Sequence, residues 1–422
     1  MTSRFSHQTT AQQTNRSGFI SVFTAAPHRM MFLGGTVQFV AVMLWWLMEL
    51  TGRYVAIWPP LVTTIPAVYA HVYLTLYGLF PFFIFGFLMT TFPRWMPGEV
   101  IDQRSYIGCF TLMMSGIGLF YIGLFTHKAI LLTGIVLLCF GWLTCMYALF
   151  QVFARADVPG RTHETILCIA LFNGLAGTLC FLFGFLFESI FLINISLPAG
   201  IWLFLAPILF TVAHRMIPFF SNIVIADYEM YRPRWGLIAG LALMLGHFCI
   251  QIFGWSHWLI VVDLPLAVLA FHFSKAWDFG RSLRVRLLAM LHVAFLWLGI
   301  GAALYAIQSL WMIFAGHEIL GRAPQHALGI GFMASMAVAF ASRVSLGHSG
   351  RPLIADLLTW WCFIAVQAAA VLRVCAELPR IPLIAHEGLQ LLASGIWVIG
   401  LTVWAARYLP IYLRPRLDGK PG

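Results

Sequence analysis

The side chain on which chemistry in this sequence would turn is imidazole. The chain has 14 histidines in a composition that is 61% hydrophobic and only 9% charged. Imidazole is the usual protein ligand for haem iron, and for copper where thiolate is absent. A bis-histidine haem needs two such rings at similar depth on facing helices. His71 and His326 meet that requirement on paper, because each opens an apolar run of the same direction. Each is followed within two helical turns by a glycine, Gly78 and Gly329. Glycine lacks a Cβ, so both positions suggest a recess for a flat ligand. His247 and His386 fall in the same half of the chain's apolar layer, while His214 and His348 fall toward the other side. All six are candidate metal ligands. Arg343, far along the run opened by His326, joins the candidate cofactor contacts, for a separate inner site or for helix packing. The acids expected to be buried are Asp263, Glu188 and Glu387, the last beside His386.

Every one of these histidines has a second reading, a hydrogen bond to a neighbouring helix. The cysteines decide one further point. All eight lie in apolar runs, with no C-x-x-C pair and no C-x-x-C-H. That pattern offers neither a disulfide framework nor a covalent haem attachment, so a haem here would be of the b type.

The elements that must position these side chains are membrane helices. Residues 71–96, HVYLTLYGLFPFFIFGFLMTTFPRWM, run apolar from a histidine to an Arg-Trp pair. At about 1.5 Å per residue such a run matches a hydrocarbon core of roughly 30 Å. Twelve runs of this kind occur, near 31–50, 67–92, 106–126, 129–153, 165–187, 199–220, 235–254, 256–273, 287–314, 324–342, 354–375 and 383–406. The fold expected is therefore all-α, a polytopic membrane protein of about twelve transmembrane helices. Residues 1–30 are expected to be a polar cytoplasmic tail, 31–406 one transmembrane domain, and 407–422 a second cytoplasmic tail. The connection 51–66 is itself mostly apolar and is expected to lie in the interface or dip back into the protein.

Orientation follows from the basic residues. With the N-terminus inside, the outer segments hold five of the 25 Lys and Arg, namely Arg53, Lys128, Arg322, Arg373 and Arg380, and the inner segments hold the other twenty. The positive-inside rule then puts both termini in the cytoplasm. The net charge of +10 has this membrane explanation and does not call for nucleic acid.

Four motifs together carry a family resemblance. They are HVYLTLYGLFPFFIFGFLMTTFPRW from His71, AHRMIPFF from Ala213, HALGIGFMASMAVAFASRVSLGHSGR from His326, and LRV from Leu372. In this order they resemble the NnrS family of membrane proteins linked to the bacterial response to nitric oxide. The resemblance falls on His71, Gly78, Phe85, Gly86, Pro93 and Trp95, on His214, Arg215, Pro218 and Phe219, and on His326, Gly329, Arg343, Gly347, His348, Gly350 and Arg351. It implies a multi-pass protein of the bacterial inner membrane carrying haem and copper, acting on nitric oxide stress or in denitrification, with nitric oxide or another small diatomic as its partner. One position departs from the family pattern. Many members begin the second helix with His-x-His, and this chain has Tyr73 in the second place, which puts a copper site built from that pair in doubt.

Two other classes compete. Nitric oxide reductases and haem-copper oxidases also use twelve helices, but they need a His-His pair and a His-x-His, and neither occurs here. A transporter of a metal, haem or small metabolite would need no redox constellation, yet no internal repeat marks two inverted halves.

Overall fold

The computed structural model describes residues 18–379 and 382–420. Among these residues the chain is helical with no strand, and twelve helices are long and apolar enough to cross a membrane. They are Pro27–Tyr54, Ala67–Trp95, Gln103–Phe125, Lys128–Arg155, Thr162–Leu186, Ile190–Val224, Arg234–Ile252, Ser256–Ala276, Arg286–Ala315, Ala323–His348, Leu357–Cys375 and Ala385–Leu413. Each expected run has its helix. In a bilayer, where backbone groups find no water, this is the structure such a composition can adopt.

The ends of the domain differ from the expectation. The first span starts at Pro27, with proline in its first turn, and a short helix Phe19–Phe23 precedes it. The last span continues to Leu413. His28 and Arg29, assigned to a tail by sequence, are buried, because the C-terminal segment folds over them: Arg29 Nη1 donates to the carbonyls of Tyr412 and Arg414. The rest of the expected N-terminal tail, residues 1–17, lies outside the described residues, as do Arg380 and residues 421–422. The connection after Tyr54 does not dip into the bundle. Val55, Ile57 and Val62 are exposed, and the loop is pinned at its edge by Leu61 N–H donating to Glu49.

Most consecutive spans pack against each other, the second span lies against the first and the fourth, and the twelfth closes against the first. The third and fourth approach closely because Gly116 and Gly134 face each other; a Cβ on Gly116 would meet the Gly134 carbonyl at 2.6 Å. Small residues at helix contacts are how membrane helices gain packing without a hydrophobic driving force. The second and tenth spans are the most enclosed, each 83% buried over its apolar window. These are the two spans that carry His71 and His326.

Three irregularities shape the interior. The second span breaks at Tyr77–Leu79, between helices Ala67–Leu76 and Phe80–Trp95. The sixth span contains a π-helical stretch at Gly200–Leu205, and the tenth contains one at Ala327–Ala334 directly after His326. Widened turns of this kind recur at functional sites. The second stretch is held by a chain of side chains: Trp297 Nε1–H donates to Gln367 at 2.8 Å, and Gln367 donates to Ser335 Oγ at 2.7 Å. The ring of Trp297 lies against Gly331, where a Cβ would come within 2.3 Å of it.

Candidate functional site

The bundle has two ends: the one that carries the chain termini, and the opposite one, where the second and tenth spans begin. At the opposite end His71 projects from the first turns of its helix and lies flat on Trp46 of the first span, ring centroids 4.2 Å apart and 17° from parallel. Arg53 sits over the same indole at 5.7 Å and is paired with the buried Glu49. Neither ring nitrogen of His71 is hydrogen-bonded, and its Nδ1 is fully enclosed. A buried polar atom without a partner marks a place where water, an ion or a ligand completes the structure.

His326 is in the same neighbourhood. It interacts electrostatically with His71, and both feel Arg373 of the eleventh span. Its Nδ1–H donates to the Arg322 carbonyl at 2.8 Å, which leaves Nε2 as the free lone pair. Both imidazoles are largely surrounded by protein yet keep part of their surface open. Gly329 faces open space; a Cβ there would meet nothing within 4 Å. Gly78 does not leave the recess expected from sequence. It lies in the break of the second span, off the face of His71, and a Cβ on it would strike the Leu74 carbonyl at 2.8 Å and Ile117 at 2.9 Å. Arg373, paired with Glu377 at 2.6 Å, is a cation near both rings.

Tyr73, at the position where many relatives have histidine, points elsewhere. Two residues turn the helix by about 200°, so the Tyr73 ring stacks on Phe120 of the third span and packs on Phe181 of the fifth. A histidine there would not share a ligand with His71.

A second buried locus lies deep beside the first π-helical stretch. His247 Nδ1–H donates to Asp263 at 2.7 Å, with both side chains fully buried. Trp202 stacks on His247 at 3.7 Å, and the ring of Tyr305 stands against it at 4.7 Å. His247 Nε2, the second oxygen of Asp263, Trp202 Nε1 and the Tyr305 hydroxyl are all buried without a partner. A carboxylate behind a histidine fixes its tautomer and aims the other nitrogen, as in metal sites and proton relays. Of the expected buried acids only Asp263 is at such a site. Glu188 is exposed, 84% of its side chain, in a turn after the fifth span, and Glu387 is half-buried. The fully enclosed acids that sequence reading passed over are Glu49 and Glu164, each held by an arginine, Arg53 and Arg215.

The remaining candidates lie away from His71 and His326, among other partners. Both nitrogens of His386 are engaged, one donating to the Ala376 carbonyl and one accepting from Gln390 at 2.6 Å. His214 is likewise saturated between His163, at 3.2 Å, and the Pro233 carbonyl, at 3.2 Å. A ligand role for either would first have to break one of these hydrogen bonds. Arg343 lies over the ring of Phe220 at 3.7 Å, a cation–π contact at the termini end, so it touches neither histidine of the opposite end. His348 faces His28 at the termini end.

Among the described residues no three His, Cys, Asp or Glu side chains gather as metal donors. The eight cysteines are free thiols. No curated protein matches the chain. The family described as NnrS protein matches residues 22–416, nearly the whole length, with His71, His247 and His326 all inside the match. The chain belongs to the NnrS family.

Proposed function

We propose that this protein binds a b-type haem in the membrane, with His71 and His326 as its axial ligands, and serves the bacterial response to nitric oxide. The observation that carries the reading is the pair itself. Two imidazoles from the two most enclosed spans lie within electrostatic reach of each other, and each has a ring nitrogen left without a hydrogen bond among the described residues. Trp46 fixes the plane of one ring, and the Arg322 carbonyl fixes the tautomer of the other. The open face at Gly329 leaves room for a flat macrocycle, and Arg373 offers a cation to a carboxylate on its edge. With no cysteine pair for covalent attachment, the group would be held by ligation and packing alone. When bound, haem would supply an iron able to take a diatomic such as nitric oxide in place of one of the two imidazoles. Family membership supports the nitric oxide assignment. Copper, which the resemblance also implies, has no matching donor set among the described residues, and no role is routed through it.

The test is an optical spectrum of the purified protein, oxidised and then reduced, followed by nitric oxide addition. A Soret band that sharpens on reduction and shifts with nitric oxide supports the reading. A protein expressed with ample haem that shows no Soret absorption removes it. A transporter remains the competing class, and nitric oxide consumption by proteoliposomes separates turnover from sensing or transport.

A further inference from the structure

The termini end carries a cluster that the haem reading does not use. His28 of the first span and His348 at the end of the tenth face each other, ring centroids 4.6 Å apart. Arg29, Arg94 and Arg416 all lie within electrostatic reach of both rings, and Arg351 joins through Arg29. The residues come from four separate stretches of chain. The C-terminal segment is tied down as one wall, by Leu417 N–H donating to the Ser349 carbonyl at 3.0 Å and by Arg29 donating to the Arg414 carbonyl at 2.8 Å.

A basic cytoplasmic edge is ordinary in membrane proteins. This cluster is set apart by guanidinium nitrogens enclosed without a partner. Four other arginines at the same end have acids of their own: Arg155 with Glu99, Arg215 with Glu164, Arg281 with Asp278, and Arg407 with Asp356. Here Asp418, gripped by Arg416, is the acid that faces the group. Arg94 has no ion pair or hydrogen bond among the described residues. Arg29 is 2% exposed, yet its Nε is enclosed with no partner, and Nη1 of Arg351 is enclosed without one too. Burying unpaired guanidinium nitrogens beside like charges is costly unless something negative completes them.

We infer that His28, Arg29, Arg94, His348, Arg351 and Arg416 form a binding site for a phosphate group at the termini end of the bundle. A phosphate presents several charged acceptor oxygens at once, which matches donors converging from several directions, and planar guanidinium groups engage it by paired hydrogen bonds. The site is separate from the His71 and His326 pair and stands or falls without it. The same chemistry could arrive on a free phosphate or on the headgroup of an anionic lipid.

The test uses the full chain. Thermal unfolding in neutral detergent is followed against sodium phosphate and against sodium chloride of equal ionic strength, and then in nanodiscs of phosphatidylcholine with and without phosphatidylglycerol. Arg94→Gln and Arg416→Gln are compared with Arg155→Gln, which removes one positive charge outside the cluster. Stabilisation by phosphate beyond chloride identifies a free anion; stabilisation by phosphatidylglycerol alone identifies a lipid headgroup. In either arm Arg94→Gln should need about tenfold more ligand, as expected for one lost charge-assisted hydrogen bond, while Arg155→Gln should follow wild type. If chloride matches phosphate and phosphatidylglycerol adds nothing, or if Arg94→Gln and Arg416→Gln respond as wild type does, the inference is wrong.

Discussion

The imidazole of His71 lies flat on the indole of Trp46, 4.2 Å between centroids. This stack sets the plane of the ring, because nothing hydrogen-bonds either of its nitrogens. Trp46 is therefore a positioning residue. Trp46→Leu should keep the haem but broaden its low-spin signals in electron paramagnetic resonance, since the ring would no longer hold one orientation. Unchanged line shapes would show that the stack does not orient a ligand.

The His247 and Asp263 pair predicts a different sensitivity. Both side chains are fully buried, so removing one partner strands the other. Asp263→Ala should lower the melting temperature more than the double change with His247→Phe, because breaking a buried pair costs roughly 3–5 kcal/mol, while replacing both partners by apolar groups is often neutral. Equal losses would mean that the pair is not coupled.

Gly331 should not tolerate a side chain. Trp297 occupies the place of its Cβ, at 2.3 Å, and is itself fixed by Gln367. Gly331→Ala must displace the indole and should cost about 1–3 kcal/mol, the usual penalty for overpacking. A melting temperature equal to that of wild type would show that the π-helical stretch yields freely.

Asp356 gives a pH-dependent prediction outside the membrane. It caps the helix Leu357–Cys375, accepting from Thr359 N–H at 2.8 Å, and it pairs with Arg407. Partial burial works against its ionised form, but the bonds from Thr359 and Arg407 outweigh this and hold its carboxyl below the usual carboxylate range. A lowered folded-state value means that the contribution is complete above the unfolded carboxylate value near 4 and is lost as pH falls through the folded one. Asp356→Ala should thus cost about 1 kcal/mol at pH 7, and less as the solution is acidified below pH 4. A constant difference across that range would contradict the assignment.

The architecture was legible because the bilayer leaves so few choices. The run from His71 to Trp95 could only be a span, and proline in the first turn at Ala323–His326 sits where its missing N–H costs nothing. Less could be read inside the spans. Gly78 suggests a recess beside His71, but the span breaks at Tyr77–Leu79, and Leu74 and Ile117 crowd the glycine there. Hydropathy carries no signal for such a break, nor for the π-helical turns. His386 and His214 read as ligand candidates, since sequence does not show that Gln390, Ala376, His163 and Pro233 meet their nitrogens. His247 and Asp263, sixteen residues apart, show their partnership only once the seventh and eighth spans are folded together. Glu49 was visible as a carboxylate within an apolar run, which by itself predicts a buried partner.

Sidedness is checked by cysteine labelling. Residues 275–286 should react from the cytoplasm and residues 315–323 from the opposite side, as the distribution of basic residues requires. Labelling of 275–286 from outside would invert the bundle.

The most direct measurement of the central claim is the haem content and Soret spectrum of His71→Ala and His326→Ala beside His272→Ala. His272 is exposed and hydrogen-bonded to Tyr231 at 3.2 Å, so its loss should leave the spectrum alone. His71→Ala and His326→Ala should each insert normally and lose the haem or shift its band, and any haem bound by wild type should leave in acidified organic solvent. Normal haem content and an unchanged spectrum in both variants would contradict the assignment and return the two imidazoles to helix packing.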